Sequence, residues 1–286
     1  MTVDAHVHLW RLARGDNVAL KPSMRAIYFD REPAELKPRL DASGVQRVVV
    51  VQAAETLAET LFTIGLARKF PWIAGIVAWV DPASPAIEEE VAALAWIGIV
   101  KGVRPVRGDN ASIAWMLDRD LARGWRALAE HDLTLDILLQ NWRELPLAAQ
   151  LSRQLPNLRI VLDHCGKPDI TGGALTPWAR QIDGIAALPN TYCKLSGLMN
   201  CAAPGATSAD VRPYADCVLD AFGCDRVLWA SDWPPLDLAS EYSTWKRVCD
   251  EILAARSDHF RSAVLTKSAE RIYRLCAPTV AEVRAQ

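Results

Sequence analysis

Three of the five histidines in this chain stand at the ends of apolar runs. The first run reads Asp4-Ala5-His6-Val7-His8-Leu9-Trp10. Residues two apart on an extended strand share a face, so His6 and His8 point the same way. Imidazoles inside an apolar strand need partners, because burying an unpaired polar ring is costly. His164 follows the run Ile160-Val161-Leu162, and Asp232 follows Val227-Leu228-Trp229-Ala230. A carboxylate among imidazoles can act as a general base toward water. His6, His8 and Asp232, with His164 nearby, could also hold one divalent metal such as zinc, which takes these ligand types. Arg104 ends the run Ile99-Val100-Lys101-Gly102-Val103 and offers a rigid fork for a carboxylate or a polarised carbonyl oxygen. Arg107, three residues on, could add a second anion contact. The plain alternatives are satisfied core histidines, an aspartate that caps a turn, and an arginine in a rim ion pair. His131 and His259 fall on or beside helical stretches and read as surface groups.

These side chains can meet only if the fold gathers the ends of several strands. Apolar, β-branched runs predict strands over Val3–Leu9, Arg47–Gln52, Ile73–Val80, Gly98–Arg104, Thr134–Leu139, Arg159–Asp163, Thr191–Leu195 and Arg226–Ala230. Several are apolar almost throughout, as strands covered on both faces are. Amphipathic stretches between them predict helices over Pro33–Ala42, Leu57–Lys69, Ile87–Trp96, Asp120–His131, Leu145–Gln154, Pro177–Leu188, Val211–Phe222 and Tyr242–Ala255. A last helix is expected over Lys267–Leu275. Thr56 and Glu59 spell a capping box, and Gly44 sits where the first helix should stop. Eight alternations predict a (β/α)8 TIM barrel over residues 1–286 as a single domain. A doubly wound open sheet is the rival, but neither GxGxxG nor GxxxxGK[ST] occurs. Barrel enzymes work at the C-terminal ends of their strands, where His6, His8, Arg104, His164 and Asp232 would stand. The long loops 10–32 and 199–210 are expected at the same mouth as lid or wall. Trp10, Trp142 and Trp233 are expected near it, where an indole can stack on a substrate ring.

The 286 residues carry 32 Lys and Arg against 34 Asp and Glu, a net charge of −2. Nucleic acid and anionic membrane both favour a basic excess, so neither is the expected partner. No apolar run is long enough for a membrane span. A strand starting at Thr2 leaves no room for a signal peptide. The seven cysteines form no CxxC pair and no framework, which fits reduced thiols in a cytoplasmic setting. Oligomeric state is not legible.

Five stretches, taken in order, make a resemblance. Asp4–Trp10, Gly102–Pro105, Leu162–Pro168, Cys193–Leu198 and Ser231–Pro234 span nearly the whole chain, and Ala269–Tyr273 is similar to the family's closing helix. Together they resemble the lactonase branch of the amidohydrolase superfamily. The resemblance implies a distorted (β/α)8 barrel and a small lactone substrate, most simply a sugar-acid lactone. By position His6, His8, His164 and Asp232 match the family's active-site group, and Arg104 matches its substrate-contacting arginine. Beside Arg104, the positions of Trp10, Arg107 and Trp233 make them expected substrate contacts in their own right, and Arg107 would favour a carboxylated lactone. Two-metal members add a carboxylated Lys or a Glu on the fourth strand and a His on the fifth. Here those strands end in Arg104 and in Leu138-Leu139-Gln140-Asn141, so no bridging ligand is present. The expected chemistry requires no metal, with one zinc on His6, His8 and Asp232 as an option. The remaining readings are a carboxylated pyrone- or muconolactone-type lactone, zinc-dependent decarboxylation of an aromatic acid, and a non-catalytic barrel that binds a sugar acid.

Overall fold

In this computed structural model residues 1–108, 112–173 and 175–276 are described. The apolar runs form strands β1 (Val3–Val7), β2 (Arg47–Val51), β3 (Ile73–Ala78), β4 (Val100–Val103), β5 (Thr134–Ile137), β6 (Ile160–Leu162), β7 (Thr191–Leu195) and β8 (Val227–Trp229). They lie parallel in sequence order, each hydrogen-bonded to the next. The two ends of the sheet meet just beyond β8. There Trp233 bridges to Val7, Asp232 N donates to His6 O at 2.9 Å, and His8 N donates to Trp233 O at 2.8 Å. The chain is thus a (β/α)8 barrel.

Helices Pro33–Ala42, Leu57–Lys69, Ile87–Trp96 and Leu145–Gln154 begin and end where the pattern placed them. The strands are shorter than the apolar runs by up to two residues at either end, and the residues beyond their C-terminal ends form the mouth. There Gln52 N still donates to Val77 O at 2.9 Å and Arg104 N to Ala78 O at 2.8 Å, and the side chains of His8, Gln52, Arg104 and Asp163 turn inward. The capping box is half made. Thr56 accepts from Glu59 N at 3.1 Å, but the Glu59 carboxylate turns to Ala53 N and Arg14 instead of the cap. Loop 199–210 opens with a short helix, Leu198–Cys201. The closing helix is shorter than expected, Ser268–Ile272, and follows a π-helical turn, Ala263–Lys267.

The core has two layers. Val48 and Val50 pack outward with Leu36 and Leu40 of the surrounding helices. Val3, Ala5, Val49, Val51, Val161 and Leu228 pack inside the barrel with Ala269, Ile272, Tyr273 and Leu275. The C-terminal segment therefore plugs the end opposite the mouth. On β1 the alternation slips: register shifts between Asp4 and Val7, and Asp4 Oδ1 accepts from His6 N at 3.1 Å. Val3 and Ala5 face in and Asp4 faces out, yet His6 and His8 face in. Without that bulge the histidines would lie on the Asp4 side, under the helices. Among the described residues no helix is long and apolar enough to cross a membrane.

Candidate active site

At the mouth four acceptors converge. His6 Nε2 lies 3.0 Å from His8 Nε2 and 3.6 Å from Asp232 Oδ1. His8 Nε2 and His164 Nε2 lie 3.5 and 3.7 Å from the same oxygen. All four residues are buried.

Backbone conformation aims them. His164, Cys165, Gly166 and Lys167 are successive left-handed residues with φ between 51° and 66°. Each non-glycine residue in that region carries roughly 1–2 kcal/mol of strain. This reversed turn sets His164 over the mouth, where Ser196 Oγ holds its Nδ1 at 2.9 Å. Asp232 is also left-handed, φ 62°, and its carbonyl accepts from Leu236 N at 2.9 Å.

Below the mouth the barrel interior carries charges in alternation. Asp163 Oδ2 accepts from Arg104 Nη1 at 3.1 Å, and Arg104 Nη2 donates to Gln52 O at 2.8 Å. Lys194 Nζ sits 2.9 Å from Asp163 Oδ1, 3.0 Å from His6 Nδ1 and 2.6 Å from Asp136 Oδ2. Tyr273 of the plug donates to the same Asp136 oxygen at 2.5 Å. Asp136, Asp163 and Lys194 are fully buried. Sequence reasoning did not name them as site residues, although the signal was the one used for the histidines: a charge inside an apolar strand.

The electrostatics follow from burial and neighbours. Burial alone would raise the Asp232 carboxyl, but the neighbouring His164, His8 and His6 outweigh it and hold it well below the usual carboxylate range. Burial pushes Asp163 up too, and Lys194 and His6 reverse that. Burial lowers His164, and burial with Lys194 lowers His6. Asp136 is raised by burial.

The tautomers decide what can sit between the four acceptors. His8 Nδ1 faces Val51 O at 2.9 Å, a pure acceptor, so it donates there, and Nε2 is the atom turned to the centre. Asp163 Oδ1 makes no well-aligned hydrogen bond in spite of its ion pair with Lys194, and it lies 3.3 Å from His6 Nδ1. Lys194 Nζ and Arg104 Nη1, both donors only, lie 3.0 Å from His6 Nδ1 and 3.4 Å from its Nε2, so either ring nitrogen of His6 has a donor to accept from. With Nε2 as its acceptor, His6 joins His8 and Asp232 around a point that a proton or a metal would fill. Ligands of a tetrahedral zinc stand roughly 3.3–3.5 Å apart. The separations of 3.0, 3.5 and 3.6 Å among these three fit a single divalent ion.

Beside this cluster opens a cavity of about 430 Å³. Loop 10–32 forms one wall, with Asp16, Asn17 and Lys21; Gln52, Glu55, Arg104 and Lys167 also line it. Arg104 belongs to both, since its Nη1 lies 3.4 Å from His6 Nε2. Arg107 lines the cavity half-exposed, donates to Asp81 at 3.4 Å and lies over the Trp115 ring. Trp10 and Trp233 stand elsewhere. Trp10 is buried and donates to Phe29 O at 2.8 Å, and Trp233 is fully buried with its indole N–H on Asp237. Trp142 packs under Arg143 and does not line the cavity. Loop 199–210 contributes no lining residue.

Known proteins share this arrangement of sequence and fold. A family model described as amidohydrolase matches residues 3–275. An L-fucono-1,5-lactonase from Burkholderia ambifaria is 37% identical over 97% of both chains. One from Burkholderia multivorans is 33% identical over 99% of both. A solved amidohydrolase structure from B. multivorans with bound zinc superposes with a TM-score of 0.90, at 32% identity, over 96% of this chain and all of its own.

Proposed function

This chain belongs to the amidohydrolase family, and from that premise we propose that it opens a lactone ring by hydrolysis, the substrate being a sugar-acid lactone. The observation that carries the reading is the ionised Asp232 carboxylate among three imidazoles, with Arg104 linking it to the cavity. The similarity to two L-fucono-1,5-lactonases supports the same substrate class.

Asp232 accepts a proton from water as the water oxygen attacks the lactone carbonyl. Negative charge developing on the carbonyl oxygen is met by the Arg104 guanidinium. The tetrahedral adduct collapses with cleavage of the ring C–O bond, and Asp232 returns its proton to the ring oxygen, leaving a hydroxy acid. A carboxyl held below its usual range is a strong acid once protonated, so it gives the proton up readily. A divalent ion on His6, His8 and Asp232 would supply Lewis-acid polarisation. A lactone is an activated ester, so in this reading the ion assists and is not required.

A lactone panel read by pH indicator tests the function. L-fucono-1,5-lactone should release acid fastest; silence on every lactone, or preference for a pyrone dicarboxylate, overturns the substrate reading. Prolonged chelation should leave most of the activity. Loss on chelation with recovery on adding zinc would show that the metal is essential.

A further inference from the structure

The charged ladder beneath the mouth bears on where the His6 proton sits. Lys194 is closed to solvent, and its Nζ meets Asp136 Oδ2 at 2.6 Å, Asp163 Oδ1 at 2.9 Å and His6 Nδ1 at 3.0 Å. A lysine Nζ carries three protons and accepts none, so these three neighbours must all be acceptors. A proton on His6 Nδ1 would point at Lys194 and leave a sealed donor without an acceptor, which is costly. Asp163 Oδ1 lies 3.3 Å from the same nitrogen but makes no aligned hydrogen bond with it. Arg104 Nη1 stands at the longer 3.4 Å from Nε2 and already donates to Asp163 Oδ2 at 3.1 Å. Arg104 borders the cavity whereas Lys194 is sealed, so an unmet proton on Arg104 is the cheaper of the two.

With Nδ1 as the acceptor, the ring proton of His6 stands on Nε2. His8 Nε2 lies 3.0 Å from it, a contact that needs one proton between the two nitrogens, and His6 supplies it. His8 donates in turn from Nδ1 to Val51 O at 2.9 Å. Lys194, His6, His8 and Val51 thus form one chain of hydrogen bonds running in a single direction. A metal on His6 would need the Nε2 lone pair where this proton stands, because a ligating nitrogen must be bare. His6 can free that nitrogen only by carrying the proton on Nδ1, against Lys194. We propose that Lys194 is a positioning residue that holds His6 as an Nε2–H donor and so weakens divalent-metal binding at His6, His8 and Asp232. The separations among the three ligands admit an ion, while the direction of the hydrogen bonds opposes it. The inference concerns the ion site alone and assumes no particular substrate.

Nitrogen-15 spectra of histidine-labelled, metal-free protein distinguish a protonated ring nitrogen from a bare one, with His6→Gln assigning the His6 signals. The wild type should show His6 protonated on Nε2 and bare on Nδ1; a protonated Nδ1 overturns the proposal. Zinc affinity is read at one fixed pH by competition with a chromophoric chelator. Lys194→Met should bind zinc about tenfold or more tightly than the wild type, and its His6 should carry the proton on Nδ1. Removing a positive charge tightens cation binding by itself, so the two readouts are taken together. Tighter zinc with the His6 tautomer unchanged assigns the effect to charge and overturns the positioning role. Unchanged affinity overturns it as well. Lys194→Gln, whose amide accepts as well as donates, takes the place of the methionine variant if that one does not fold, with the same outcomes expected.

Discussion

Asp232 and the histidines reach one another across the seam where the barrel closes, and their protonation states are set there. Asp232→Asn keeps the size and removes the proton acceptor. It should lower kcat by about 10²–10⁴-fold, measured on whichever lactone turns over fastest; retention of most of kcat would assign the base elsewhere. Which residues gather at the mouth was legible in the sequence, because histidine, aspartate and arginine at the ends of apolar strands have few cheap explanations. Their partners were not. Lys194 pairs with Asp136 across 58 residues and with His6 across 188, and no local pattern encodes such pairings. The tryptophans show the converse: Trp10 and Trp233 stand beside site residues in sequence, yet strand alternation and the turn after Asp232 send them into packing.

At the scale of elements, two glycines separate stability from function. A Cβ at Gly102 would lie 2.0 Å from Thr134 Oγ1, between neighbouring strands β4 and β5. Gly102→Ala should therefore cost about 2 kcal/mol or more and reduce soluble yield. A Cβ at Gly197 would lie 2.6 Å from His164 Cβ, and the residue is left-handed, φ 71°. Gly197→Ala should leave the far-ultraviolet circular dichroism native while depressing kcat, because it displaces the His164 ring. The loop 10–32 wall is pinned by Glu59, which receives Ala53 N and pairs with Arg14 at 3.2 Å. Burial raises the Glu59 carboxyl to about 7. Between pH 4.5 and 7 the folded state holds a proton there that the unfolded chain has lost, so stability falls as pH rises through that window, by up to about 3 kcal/mol. Glu59→Gln should flatten the dependence of Tm on pH across it; an unaltered profile would mean that Glu59 is ionised when folded. Loop composition gave no sign of this, since Thr56 and Glu59 read as a complete capping box.

For the whole molecule, eight strand–helix alternations were enough to predict the barrel, because period-two and period-3.6 patterns are local. The plug and the β1 bulge were not readable, since each depends on what the closed sheet leaves unfilled or turned. The plug also couples stability to the site. Tyr273→Phe removes the hydroxyl that donates to Asp136 and should cost about 1–3 kcal/mol, seen as a Tm lower by several degrees. No change in Tm would show Asp136 to be adequately served by Lys194 and Thr134.

Vectorial synthesis gives that interior ladder a further meaning. Asp136 leaves the ribosome 58 residues ahead of Lys194 and 137 ahead of Tyr273. At 5–20 residues per second that interval lasts roughly 7–27 s. For its first 58 residues the nascent half-barrel carries a carboxylate facing its own future core with neither of these partners yet made, and until its end the Tyr273 hydroxyl is missing. Water must occupy that space until β7 and then the plug arrive. The last strands and the final helix thus act as the drying step of biogenesis, and a stall late in translation would leave a wet, open sheet.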